Sequence, residues 1–202
     1  MTPPTSRSLL DPPRVDPVSS VDALVALLER SMGMPDADVD PDPVDIGHHS
    51  LQCAVILAGS HPDDDELVAA GLVHDLGHVV APGCSAAHGD VAAAMLSGLL
   101  GPRVARLVAL HVPAKRYLAA EPDYAAALSD GSTASLAVQG GPMVAAERTA
   151  MEADPDLESA LTLRRADEAA KVPGADVPGL AHWVPLLERV AARCSATSGV
   201  SA

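Results

Sequence analysis

The chain predicts an all-α fold, and three observations point that way. Its apolar content of 48% is mainly Ala, Val and Leu, with no Phe and only three Trp and Tyr residues together. Such a composition suits close-packed helices better than a β-sandwich. Apolar residues recur at helical spacing in segment after segment, and neither a strand pattern nor an internal repeat stands out. The 202 residues are enough for one ordinary domain and too few for two comfortable ones. The expectation is a bundle of about seven to nine helices over residues 19–193, between a disordered Pro-rich leader at 1–18 and a flexible tail at 194–202.

Each helix has its own signals. The first spans about Ser20 to Met32, with Leu24, Val25, Leu27 and Leu28 on its apolar side and Gly33 closing it. The acidic, Pro-broken segment from Met34 to Asp45 reads as a loop, and a second helix follows from about Val44 to Gly59. The third is expected from Ser60-His61-Pro62-Asp63, with Ser60 as cap and Pro62 in the first turn, to Gly77-His78. A fourth covers about Ala87 to Leu100, ended by Gly101-Pro102, and a fifth runs from Arg103 to His111, ended before Pro113. Residues 114–128 read as helical with a break at Pro122, and the Ser/Gly-rich stretch from Ser129 to Pro142 as a loop. Helices near Met143–Ala153, Asp156–Lys171 and Leu180–Arg193 complete the pattern.

Charge and cysteine usage narrow the function. A formal charge of −14 argues against nucleic acid or an anionic membrane as main partner, since either needs a basic face. No apolar run reaches the roughly 18 residues of a membrane span, and residues 1–18 lack the apolar stretch of a signal peptide. The odd set Cys53, Cys84 and Cys194, far apart and without a CxxC, fits a reducing cytoplasm. An anionic substrate would need a local basic pocket. Only two lysines, Lys115 and Lys171, stand among eleven arginines.

The most informative residues are His74-Asp75, set in the apolar run Ala70-Gly71-Leu72-Val73-His74-Asp75-Leu76-Gly77-His78. An imidazole and a carboxylate side by side are costly to bury unless something pairs with both, and a metal ion is a common partner. A carboxylate has two oxygens, so one Asp can bridge two metals. Six of the eight histidines fall between His48 and His88, and His111 follows closely. On one helix His74 and His78 would share nearly one face, while His49, His88 and His111 sit on or at the ends of different predicted helices. His48 and His61 read as solvated, and His182 as a surface or packing neighbour of Trp183. Asp36, Asp38 and Asp40 alternate as in a calcium loop, but Pro41 stands where Gly is required and Gly47 where the bidentate Glu belongs.

The combination His49…His74-Asp75…His88…His111…Asp167 resembles the six-ligand pattern of the HD-domain superfamily. More narrowly, the chain is similar to the mixed-valent di-iron oxygenases of that superfamily that cleave the carbon–phosphorus bond of small organophosphonates, among them 2-amino-1-hydroxyethylphosphonate. The similarity runs from about Val44 to Leu187. It is carried by His49-Ser50-Leu51-Gln52-Cys53, by His111-Val112-Pro113-Ala114-Lys115-Arg116-Tyr117-Leu118, by Val138-Gln139-Gly140-Gly141-Pro142-Met143 and by Leu163-Arg164-Arg165-Ala166-Asp167-Glu168-Ala169-Ala170-Lys171.

The resemblance implies an HD-domain helical bundle with two iron ions, Fe(II) and Fe(III), and O2 as co-substrate. His49, His74, Asp75 and Asp167 would hold one iron; Asp75 would bridge to the second, completed by His88 and His111. Lys115, Arg164, Ser132, Ser135 and Gln139 match the residues that receive the phosphonate, so the substrate is expected to be a small anion. His78 matches a further histidine of the His-Asp-x-Gly-His run, which contacts substrate, orients a ligand or acts as a base. Lys115 is expected to serve catalysis as well as binding. The departure lies upstream: where the aminophosphonate enzymes carry a Tyr and a Glu, this chain has Val39 and Asp42, leaving Asp42 as the residue to meet an amine.

The expected activity is therefore oxidative cleavage of a 1-hydroxyalkylphosphonate, 2-amino-1-hydroxyethylphosphonate or an N-substituted analogue, to phosphate and a carboxylic acid. The ligand set alone equally suits an HD-type metal-dependent phosphohydrolase acting on a nucleotide or phosphomonoester. Oligomeric state is not legible in the residues.

Overall fold

Helix follows helix through the computed structural model, which describes residues 13–35 and 43–198 and contains no strand among them. Eight of its α-helical segments run eight residues or more, in line with the expected all-α bundle. Of the expected leader, residues 1–12 lie outside the described part. Val15 packs against the core and Val18 is buried, its N–H donating to the Met95 carbonyl at 3.0 Å.

α1 (Val21–Ser31) starts at Ser20, whose hydroxyl accepts from the Ala23 N–H at 3.2 Å. α2 (Ile46–Ser60) starts at Asp45, which accepts from the His48 N–H at 3.0 Å. The expected third helix divides into α3 (Asp65–Val73) and α4 (Leu76–Val80). Ser60 does not cap it. Ser60 closes α2, with its hydroxyl donating to the Ile56 carbonyl at 2.9 Å. The cap is Asp64, which accepts from the Leu67 N–H at 3.0 Å while Arg103 grips both its oxygens, at 2.6 and 2.7 Å. A carboxylate fixed by a guanidinium outcompetes a serine that has a helical carbonyl to bond.

α5 (His88–Leu118) joins two predicted helices across Gly101, where φ is 89° and ψ 169°. Straight, its 31 residues would separate His88 from His111 by about 34 Å. Instead their Nε2 atoms lie 2.6 Å apart, so the element folds back on itself at Gly101-Pro102. The whole segment has the length and apolarity of a membrane span, but each arm is shorter than the roughly 20 residues required. The second arm does not end before Pro113, as the sequence suggests, but continues to Leu118. That continuation carries Lys115 into the interior.

α6 (Pro122–Ala126) is a single turn, and α7 (Asp130–Val138) replaces the loop expected over 129–142. Ser129 is a helix cap, accepting from the Ser132 N–H at 3.1 Å, and Asp130 stands in the first turn where the helix dipole favours it. Serine and glycine here mark a helix start. α8 (Ala145–Glu152), α9 (Leu157–Ala169), a 3-10 turn at Leu180–His182 and α10 (Val184–Ser198) follow. α10 runs through Cys194 into the segment expected as tail.

The core is aliphatic. Leu24, Leu28, Leu57, Leu72, Leu96, Leu107, Leu163 and Leu187 are essentially fully buried, and each such side chain contributes on the order of 1.5–3 kcal/mol. Small residues on α3 let α2 approach closely: a Cβ on Gly71 would stand 2.3 Å from Leu57 Cδ1. A second cluster of Ala114, Leu118, Met151, Ala160 and Leu161 ties the end of α5 to α8 and α9. α2, α3, α5 and α9 therefore converge, and they supply the polar interior.

Candidate metal centre

The backbone leaves the helix at His74-Asp75: Asp75 has φ −95° and ψ 3°, between α3 and α4. The continuous helix expected here is thus interrupted at the two residues whose burial raised the question of a metal. The interruption sends the Asp75 carboxylate inward instead of leaving it rotated around a helix barrel. His78, on α4, stacks its ring on His88 with centroids 4.1 Å apart and planes at 26°.

Four buried imidazoles surround Asp75. The Nδ1 of His49 is 3.0 Å from the Ala170 carbonyl, that of His74 is 2.9 Å from Gly71 O, and that of His88 is 2.8 Å from Ser85 O. His111 makes the same bond to Val108 O. A carbonyl only accepts, so each Nδ1 carries the proton and each Nε2 offers a lone pair. Nature orients metal-binding histidines in this way. The Nε2 atoms face inward in two pairs, His49 with His74 at 3.3 Å and His88 with His111 at 2.6 Å.

Asp75 stands between the pairs. Its Oδ2 lies 3.1 Å from His74 Nε2 and 3.4 Å from His49 Nε2; its Oδ1 lies 3.2 Å from His88 Nε2 and 3.8 Å from His111 Nε2. Asp167 closes the first half, with Oδ1 3.3 Å from His49 Nε2 and Oδ2 3.9 Å from His74 Nε2. His49, His74 and Asp167 form one group able to hold a cation, and Asp75, His78 and His88 form another. Bonds of about 2.0–2.1 Å to one ion would put neighbouring ligand atoms roughly 3 Å apart, so donor set and spacing fit two ions sharing Asp75. The set is nitrogen and carboxylate, without thiolate: Cys53 is buried nearby, and burial pushes its thiol well up.

The charges agree. Burial works to raise Asp75 and Asp167, yet His74 beside the one and Arg164 beside the other hold both well below the usual carboxylate range. Burial also opposes protonation of His74, but Asp75 and Asp167 outweigh it and bring it up to about 9. His111 is driven well down by burial and by His88, and His78 down to about 3 by the same two causes. Positive charge is thus favoured at His74, beside the two carboxylates, and disfavoured at His111 and His78.

Beside the centre lies a cavity of about 40 Å³. Asp75, His88, His111 and Asp167 open onto it from one side. Lys115, Ser132, Ser135, Gln139, Arg164 and His78, all singled out by the sequence, line the rest. Lys115 and Arg164 are only 4% and 3% exposed, so both are cations inside the protein. Lys115 Nζ donates to the Ser135 hydroxyl and has no carboxylate at ion-pair distance among the described residues; burial and the neighbouring Arg164 bring it down to about 8. Arg164 bonds Asp167, Glu168, the Tyr124 hydroxyl at 2.9 Å and Ser132 Oγ at 3.1 Å. Gln139 donates to Ser85 O at 3.3 Å, and its buried Oε1 has no protein partner.

Sequence reasoning assigned no role to several neighbours of this cavity. Lys171, noted in the sequence as one of only two lysines, donates its ammonium to Ser132 Oγ at 2.8 Å and Ser129 Oγ at 3.0 Å and lines the cavity. Glu168, Tyr124 and Gly131 also belong to the surroundings: Gly131 lines the cavity, and Glu168 and Tyr124 bond Arg164. Asp42 and Val39 lie outside the described residues, as do Asp36, Asp38, Asp40 and Pro41. His48 is exposed and bonds Asp45 at 2.7 Å, His61 is exposed beside Ser60, and His182 packs edge-on against Trp183.

Fold and site together describe a helical protein with buried imidazole and carboxylate donors suited to metal beside a cavity lined by Lys115, Arg164 and Lys171. Residues 46–170 match the HD domain. The 1-hydroxy-2-(trimethylamino)ethylphosphonate dioxygenase (glycine-betaine-forming) of Leisingera caerulea is 34% identical over 158 residues, covering 74% of this chain and 80% of the relative. Hydroxymethylphosphonate dioxygenase of Gimesia maris is 37% identical over 145 residues, covering 67% of this chain and 72% of the relative. The chain belongs to the HD-domain family and is an oxygenase of that superfamily.

Proposed function

We propose that this protein is an O2-dependent di-iron oxygenase that cleaves the C–P bond of a small 1-hydroxyalkylphosphonate. The overall change is R–CH(OH)–PO3 plus O2 to R–COOH plus phosphate: carbon is oxidised, dioxygen is reduced, and the C–P bond breaks. The carrying observation is the buried ammonium of Lys115, paired with a neutral hydroxyl, beside four inward-facing Nε2 atoms and a two-sided Asp75. Such a cation is costly to bury without an anion. The names of the two relatives, both dioxygenases of hydroxyphosphonates, supply the reaction class.

Two irons bound here would supply chelation of the substrate's hydroxyl and phosphonate oxygens and activation of dioxygen. In this reading His49, His74, Asp75 and Asp167 hold one ion, and Asp75, His88 and His111 the other. Lys115 and Arg164 neutralise the phosphonate, Ser132, Ser135 and Gln139 orient it, and Asp42 meets the amine of an amino or N-substituted substrate. His78, uncharged at neutral pH with its value near 3, offers a hydrogen-bond acceptor to the substrate's hydroxyl.

The test is anaerobic purification followed by partial oxidation. A coupled Fe(II)/Fe(III) EPR signal and O2-dependent phosphate release from hydroxymethyl-, 2-amino-1-hydroxyethyl- or 1-hydroxy-2-(trimethylamino)ethylphosphonate are expected. Phosphate release from phosphomonoesters without O2, with Mn or Co loaded, would replace this reading with a phosphohydrolase.

A further inference from the structure

We propose that Glu168 is the positioning residue of the anion pocket. It holds Arg164, Lys171, Ser132 and the first turn of α7 in the one arrangement that receives the substrate's phosphonate. The inference rests on the functional reading above and adds a residue to it.

Several donors meet on the one carboxylate of Glu168. Glu168 Oε1 accepts the backbone N–H of Ser129 at 2.8 Å, and Oε2 accepts the Ser132 hydroxyl at 2.8 Å. Arg164 Nη2 donates to the same Oε2, and Lys171 Nζ stands 4.0 Å from it. Glu168 thus binds α9 to the capping residue of α7. A carboxylate offers about four acceptor positions, and here three serve a guanidinium, a hydroxyl and an amide, with the Lys171 ammonium at ion-pair range.

The same bonds fix the direction of Ser132. Its hydroxyl proton points to Glu168, so its lone pairs are free to accept from Arg164 at 3.1 Å and Lys171 at 2.8 Å. Of the five N–H groups of Arg164, one meets Tyr124, one Asp167, and two meet Ser132 and Glu168. One Nη1–H is left for a ligand. The guanidinium is therefore held by protein acceptors, with its free edge set by them. Lys115 stands across the cavity, tied to Ser135 on the same α7 whose start Glu168 secures. Without Glu168, Arg164 would keep only Asp167 as carboxylate partner, and the three cations around one small cavity would have less fixed negative charge between them, which drives like charges apart.

Two physical effects predict opposite outcomes. If Glu168 were merely a negative charge near the pocket, its neutralisation would tighten anion binding. If it positions the donors, neutralisation leaves three donors facing an amide that has one acceptor oxygen and adds donors of its own, and binding weakens.

Inorganic phosphate, the product of the proposed reaction, serves as probe, titrated calorimetrically into the anaerobic, metal-loaded protein. Glu168→Gln is expected to weaken phosphate binding by about tenfold to a hundredfold, the scale of lost charge-assisted hydrogen bonds. KM for the phosphonate should rise to match, with a smaller change in kcat and unchanged metal content. Glu168→Asp keeps the charge on a shorter arm and should fall between wild type and Glu168→Gln, which also serves if the amide variant does not fold. Phosphate affinity that is unchanged or tighter in both variants overturns the positioning role alone. A wild-type protein that binds no phosphate overturns the functional reading and this inference with it.

Discussion

At the residue scale the centre turns on Asp75, because one carboxylate faces two histidine pairs. His49 and His74 are near one oxygen, and His88 and His111 near the other. Asp75→Ala should therefore empty both metal positions, whereas His111→Ala should leave the His49–His74–Asp167 half able to hold its ion. Metal analysis after identical anaerobic loading distinguishes them: about no metal against about one per chain, with activity down at least about a hundredfold in each. One ion per chain retained by Asp75→Ala would show that the two positions do not share Asp75. Lys115 makes a second prediction, on pH. Burial and Arg164 bring its ammonium down to about 8, and the charged form is the one that holds an anion. Phosphonate affinity should accordingly be full below that value and fall as pH rises through it, with KM climbing about tenfold per unit above it. Lys115→Met should have weak affinity and lack this limb; a wild-type KM flat from pH 7 to 10 would contradict the assignment. His74, His78 and Lys115 were legible in the sequence as residue types in a pattern. Their charge states were not, since burial and neighbours set them.

Elements decide which of those residues meet. His88 and His111 read as belonging to two helices, and they occupy the two arms of α5 folded at Gly101. That fold depends on one backbone conformation. A φ of 89° with ψ 169° is open to glycine and strained for any side chain. Gly101→Ala should cost about 1–3 kcal/mol, lowering Tm by roughly 2–4 °C per kcal/mol for a chain of this size. Thermal and denaturant unfolding with metals bound would measure it, and an unchanged Tm would show that the bend relaxes without strain. The close approach elsewhere is as demanding: a Cβ on Gly77 would lie 2.0 Å from the His88 carbonyl oxygen. α7 shows the opposite failure of local reading. Ser129, Asp130 and Gly131 look like a turn, yet Ser129 caps a helix whose start is held by Glu168 from α9. Local propensity is a weak prior there, and a bond across 39 residues outweighs it.

At the scale of the whole molecule, an aliphatic core with few aromatics surrounds a polar centre of four imidazoles and two carboxylates. Metal bound there acts on the folded state alone and adds to its stability by mass action. Chelation should lower Tm measurably, since a site filled at a thousandfold excess over its Kd contributes about 4 kcal/mol. Re-addition of Fe(II) under anaerobic conditions should restore it. A Tm indifferent to chelator would mean that the centre is stable without ions. The overall fold class was legible from composition and helical spacing, because packing rules for Ala, Val and Leu act through every turn of the chain. His74-Asp75 and the neighbouring histidines were legible because metal chemistry admits few residue types, and the six-residue pattern that adds Asp167 came from the resemblance to the HD-domain superfamily. By itself, then, the sequence determined an all-α bundle, a set of imidazole and carboxylate donors, and the cations that accompany them. Only the tertiary structure decided that Asp75 turns its two oxygens to different histidine pairs, that Lys115 is buried with no carboxylate at ion-pair distance among the described residues, and that Glu168 bonds the start of α7 and Arg164. Those are matters of distance and direction between residues far apart in the chain, and they exist only once the helices have packed.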